Sequence, residues 1–223
     1  MKRDGALRTA SAGPHAEQPT DKPEIDYTTM KLIVGLIALS LSGITASFAK
    51  EPLLSISHAY CADGKTRDFF IGFLFAIAAL MTAHNGASAH EKIASKVGGV
   101  SAVGIALVPT ACTAEAGSPW HFIFAAIMFS ILAWFCWSFY QRTKTKPHQI
   151  EAARRRIVYG CCGIGIVVSM LLIAAKGAFH WWANTNATFI FEAAGLGLFG
   201  VSWLIASHFL PFFEHPSERM KLT

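Results

Sequence analysis

The chain has 223 residues, of which 53% are hydrophobic and 15% charged, with a net charge of +5. Soluble domains carry about 25% charged residues, and a mean hydropathy of +0.41 leaves more apolar surface than an interior of this size can hide, which excludes an ordinary soluble domain and makes lipid the expected solvent. The basic residues cluster beside apolar segments, so they are assigned to membrane topology and anionic lipid and not to nucleic acid.

Residues 1–30 are polar and rich in Pro, Ala and Thr, without apolar periodicity, and are expected to form a disordered tail. Six apolar segments follow at 32–49, 69–86, 93–111, 121–140, 157–175 and 189–210. A span needs about 20 residues to cross a bilayer core. The first, third, fourth, fifth and sixth segments meet that length directly. The apolar part of the second, Phe69 to Ala83, reaches only about 22 Å. His84 and Asn85 are therefore expected within or at the edge of the membrane, hydrogen-bonded to neighbouring helices. Ser47-Phe48-Ala49 fits a small-x-small cleavage site. The long polar stretch before it and the 18 apolar residues point instead to an uncleaved span. The expected fold is an all-α bundle of six transmembrane helices over residues 31–210, with a second tail at 211–223.

Charge supports this count. Alternating six spans place 15 of the 19 Lys and Arg on one side. The bias orients both termini to the cytoplasm of a bacterial inner membrane. Cys136, Cys161 and Cys162 lie in apolar runs and read as packing residues. Cys61 and Cys112 both fall on the outer side, where a disulfide and two free thiols stand as open alternatives. Small residues four apart, Gly43/Ser47, Gly98/Ala102/Ala106 and Ala193/Gly197, are expected to bring helix backbones together within the chain or in a homo-oligomer.

The same topology gathers polar residues on the outer face: Ser57, His58, Arg67 and Asp68 in or after the first loop, His121 at the start of the fourth span, His180 in the last loop and Glu192 inside the sixth span. A carboxylate flanked by Phe189, Ile190, Phe191 and Ala193 is costly in lipid and needs a partner or a cavity. Two arrangements follow. An Arg67–Asp68–Glu192 network would lock the helices. Alternatively, Asp68, His121 and Glu192 would hold zinc, which takes about four N or O ligands, and activate water beside a lipid headgroup. Asp68 also suits a helix start, and Ser118-Pro119 reads as another. On the inner face, Arg154, Arg155 and Arg156 precede the fifth span as expected anionic-lipid contacts. His84 and His90 lack the spacing of a helical zinc pair. No nucleotide loop, nucleophile elbow, haem motif or H-E-x-x-H is present.

Several of these pieces together resemble a family of small bacterial six-helix membrane proteins of unassigned activity. They are Ser55, Ser57 and Tyr60; Arg67, Asp68, Phe70 and Gly72; His84-Asn85-Gly86; Pro109-Thr110; His121; the arginines before Tyr159-Gly160; and Glu192, Phe199-Gly200 and Ser202-Trp203. The resemblance covers roughly residues 50–205 and implies a compact bundle. Ser57, His58 and Asp68 are also similar to the early-helix zinc ligands of the alkaline-ceramidase type of membrane hydrolase, although the final-helix H-x-x-x-H of that superfamily is absent here. The expected function is an accessory, sensing or scaffold module that contacts membrane lipids and a membrane-protein partner. The alternative is a metal-dependent lipid hydrolase with its site on the outer face.

Overall fold

The computed structural model describes residues 27–62, 64–110, 112, 118–146, 149–179 and 185–216. Its helices are α1 (Tyr27–Phe48), α2 (Lys65–Ala83), α3 (Ala89–Leu107), α4 (Pro119–Thr143), α5 (Gln149–Phe179) and α6 (Ala187–Ala206), with 3-10 turns at Ser57–Cys61 and Pro211–Phe213. No strand occurs among the described residues. Each helix packs on its neighbours in the chain and α1 closes against α6, so the six form a ring. Large apolar side chains on every helix stay exposed, among them Leu36, Phe75, Val100, Ile123, Ile164 and Ile190. This outward apolar coat is what an integral membrane protein requires.

Five helices, α1, α2, α4, α5 and α6, are long and apolar enough to cross a membrane. The second segment reaches this length by starting at Lys65, so Asp68 lies in its first turn. The third, expected as a direct span, falls short because its 19 residues include Glu91, Lys92 and Lys96, with Ser95, Ser101, Gly98 and Gly99 on its buried side. Its outward face is nevertheless apolar, with Ile93, Val97, Val100 and Leu107 exposed. It lies in the ring between α2 and α4. Ser88 caps its start, accepting from Glu91 N at 3.2 Å.

Of the expected small-residue faces, that of Gly98, Ala102 and Ala106 is buried in α3, and a Cβ on Gly98 would lie 2.8 Å from Met81 Cε of α2. Gly43 and Gly197 have open space around them. The tight crossing is between α1 and α6, where a Cβ on Gly35 would lie 3.0 Å from Gly200 O and one on Gly200 would lie 2.9 Å from Gly35 O. Glycine is required there because backbone faces backbone. Gly99 sits equally close to α2, 2.9 Å from Ala78 O by the same measure.

At one end, Cys61 and Cys112 form a disulfide that ties the α1–α2 segment to the α3–α4 segment. At the other, the core ends in an aromatic layer of Phe135, Phe139, Phe199 and Trp203. His84 is buried and packs edge-on to Tyr27 and obliquely on Trp203. Neither of its ring nitrogens has a hydrogen-bond partner in the structure, contrary to expectation. Asn85 is exposed and donates to Tyr27 Oη at 3.4 Å. The expected loop at 141–156 is largely helical, because α5 begins at Gln149 and carries the three arginines in its first turns. The chain after α6 folds back, and Glu214 is buried.

Candidate functional site at the disulfide end

At the disulfide end of the bundle a cavity of about 410 Å³ lies between the ends of α4, α5 and α6. Ser55 and Ser57 enter it from the α1–α2 segment, Thr110 from beyond α3, His121 from the first turn of α4, and Thr188 and Glu192 from α6. Apolar side chains including Phe129, Met170 and Ile173 form the rest of the wall. Phe122, Ala126, Ala174 and Gly177 on its rim are exposed on the outside of the bundle, so the cavity opens sideways between α4 and α5. Its volume falls in the range of about 300–1,000 Å³ typical of small-molecule sites.

His121 is positioned by the local chain. Pro119 occupies the first position of α4, and His121 N donates to Ser118 O at 3.1 Å. Its Nδ1 lies 2.8 Å from Val108 O, which closes the end of α3, and that contact makes Nδ1 the donor. Nε2 is then left as an acceptor. It is buried, with no partner in the structure, and His121 is 1% exposed.

Glu192 is held differently from either arrangement expected of it. Its Oε2 accepts from Ile56 N at 2.5 Å and the carboxylate also takes the Ser57 N–H. It therefore caps the 3-10 turn Ser57–Cys61 from another helix, satisfying amide donors that the turn leaves open. Lys176, near the end of α5, donates to Thr188 Oγ1 at 3.1 Å and sets a cation beside the same rim.

The structure thus brings together Ser57, His121 and Glu192, and leaves out Arg67, Asp68 and His58. Arg67 and Asp68 are exposed at the start of α2. Arg67 lies over the Tyr60 ring at 4.6 Å, so the Arg67–Asp68–Glu192 network is not formed. The reason is helical phase: both residues face outward while Thr66 and Phe70 face in. His58 lines a separate cavity beside the disulfide. His180 lies outside the described residues. The residues present do not fit zinc: Asp68 does not line the cavity, and no group of three or more His, Cys, Asp or Glu is placed to share an ion among the described residues. Ser55 and Thr110 were visible in the sequence only as parts of short motifs, and Lys176 carried no signal beyond its charge.

The opposite end corrects one further expectation. Arg155 is buried and paired with the buried Glu214, so it is not a lipid headgroup contact. Arg154 is exposed, donates to Phe212 O at 3.4 Å and lies over the Phe212 ring. Arg156 is half-exposed. No protein-family model, curated protein or solved structure matches the chain. The fold and site define a class only: a six-helix membrane bundle with an amphipathic side cavity.

Proposed function

We propose that the protein is a bacterial inner-membrane module, with both termini cytoplasmic, that binds an amphiphile from the outer leaflet in an accessory or sensing role. Two independent features support this orientation. The excess of Lys and Arg favours the cytoplasm for the end distant from the disulfide. A disulfide is favoured in an oxidising compartment, at the other end.

The observation that carries the binding role is the two-part cavity, with apolar walls open to the lipid side and a polar end where His121 Nε2 has no partner. An acyl chain fits the walls, and a headgroup hydroxyl or amide would donate to Nε2. Binding without hydrolysis is the better account, because Glu192 is committed to backbone amides and, among the described residues, no third metal ligand accompanies it and His121.

Native mass spectrometry of the protein released from mild detergent tests this role. The wild type should retain one amphiphile per chain. Ala126→Trp with Ala174→Trp, which fills the rim, should abolish retention, and His121→Phe should weaken it while the fold persists. Equal retention in all three proteins would remove the cavity as the binding site.

A further inference from the structure

Cys61 and Cys112 are 51 residues apart in the chain, and each belongs to a segment that builds the polar end of the side cavity. On one side, Cys61 closes the 3-10 turn Ser57–Cys61. Ser57 opens that turn, Ser55 precedes it, and both line the cavity. The turn is tied internally: His58 N donates to Ser55 Oγ at 3.0 Å and Ala59 N to Ile56 O at 3.0 Å. On the other side, Cys112 follows Thr110 by two residues, and its Sγ lies 3.5 Å from Thr110 O. Thr110 lines the cavity, and Val108 O, two residues earlier, holds His121 Nδ1 at 2.8 Å. One covalent bond thus stands behind both halves of the headgroup end.

The two halves are secured differently. The Cys61 side is fastened to α6 by Glu192, which takes the Ile56 N–H, and by Phe189 N, which donates to Leu54 O at 3.1 Å. On the Cys112 side, Val108 N donates to Gly104 O at 2.9 Å as α3 ends, and Pro109 has no N–H to continue the helix. Past Val108, the disulfide ties this segment to the Cys61 side. Opening the bond would release Thr110 and slacken the Val108 carbonyl that orients His121, while Ser55 and Ser57 keep their hold on α6.

The bond is also within reach of a reactant. It lines a cavity of about 340 Å³ with Lys50, Glu51, His58 and Thr66, and Cys112 is exposed. A thiolate exchanges with a disulfide by attacking one of its sulfurs, so access to that sulfur is required. A thiolate of a dithiol reductant attacks Cys112 Sγ, the Cys61–Cys112 bond breaks, and Cys61 leaves as a thiolate that takes up a proton. The reductant's second thiol then attacks the mixed disulfide, releases Cys112 as a thiol and closes the reductant's own disulfide. Two electrons and two protons pass to the protein for each dithiol oxidised. The His58 imidazole, on the wall of the same cavity, is a group that can carry a proton during the exchange.

We infer that Cys61–Cys112 is a redox-active clasp on the side cavity: a dithiol reductant acting at this end opens it and lowers the affinity of the cavity for its amphiphile. The change in affinity rests on the binding role proposed above. The opening of the bond and the loosening of the Cys112 segment do not.

The test uses the full-length protein in nanodiscs, with dithiothreitol as the reductant and a pyrene-labelled fatty alcohol as the amphiphile. Thiols are counted by mass-tagging, and amide hydrogen exchange is followed in both redox states. Cys61→Ser with Cys112→Ser removes the bond permanently. If that variant does not fold, reduction and reoxidation of the wild type supply the same comparison.

Dithiothreitol should open the bond in the folded protein and raise hydrogen exchange around Val108 and in the first turn of α4, with the opposite end of the ring unchanged. Affinity for the probe should fall at least tenfold and return on reoxidation, and the double variant should match the reduced wild type and ignore dithiothreitol. A bond that is reduced only after denaturation, or equal affinity in both redox states of a protein that binds the probe, overturns the inference. If the oxidised protein does not bind the probe, the binding role fails, and hydrogen exchange alone decides the clasp: a local rise on reduction supports it, and no change overturns it.

Discussion

Replacing Arg155 by Met removes a guanidinium that is 2% exposed and strands a carboxylate, Glu214, whose side chain is fully buried. Breaking a buried ion pair from one side costs about 3–5 kcal/mol, because the remaining charge is left desolvated. Here His208 Nδ1 stands 2.8 Å from the same Glu214 oxygen, and with that imidazole protonated the loss falls near the lower limit, at about 3 kcal/mol. For a chain of this size that corresponds to about 6–12 °C in melting temperature. The second half of the experiment is Arg155→Met with Glu214→Met. With both charges gone, similar-sized apolar side chains fill the space, and the double variant should lie within about 1 kcal/mol of wild type. The assay is tryptophan fluorescence on heating in one detergent, with monodispersity before heating as the control. If the single and double variants melt alike, the loss comes from packing and not from a stranded charge. If the single variant melts with the wild type, the pair contributes nothing and the argument fails.

The α1–α6 crossing predicts opposite outcomes one turn apart: Gly200→Ala should destabilise by about 1–3 kcal/mol less any gain in helix propensity, whereas Gly197→Ala, with nothing within 4 Å, should be neutral or stabilising in the same melt. Of the five cysteines, three are free, so mass-tagging of the denatured, unreduced protein should add three labels and tagging after reduction five. Five labels without reduction would contradict the Cys61–Cys112 bond. Reporter fusions after Lys146 and after Gly177 lie at opposite ends of α5 and should report opposite compartments; equal signals would remove the proposed orientation.

The number and order of the helices were legible because the apolar runs are long and the basic residues alternate between their ends. Helix starts were not. Lys65 to Asp68 and Gln149 to Arg156 look like polar loops by composition, yet they are helical, because an extra turn or two beyond the apolar run adds backbone hydrogen bonds. Part of the site was also readable: Glu192 was costly enough to demand partners, and His121 sat beside a clear helix start. Asp68 failed because sequence position fixes depth along a helix but not which face points inward. Arg155 failed for a different reason. In a run of three arginines nothing local distinguishes the one that turns toward the core, and its partner, Glu214, is 59 residues away in a segment that reads as tail.

The seam between α1 and α6 joins the first helix to the last. During synthesis α1 enters the membrane before its partner exists, and Gly35 must face lipid or a temporary neighbour until Gly200 has been translated. Ring closure therefore waits until α6 has been translated and inserted. A ribosome stalled before α6 would leave a five-helix horseshoe with an open glycine groove, a defined substrate for membrane quality control. For the same reason, a separately expressed α6 would find in that groove a ready place to complete the fold.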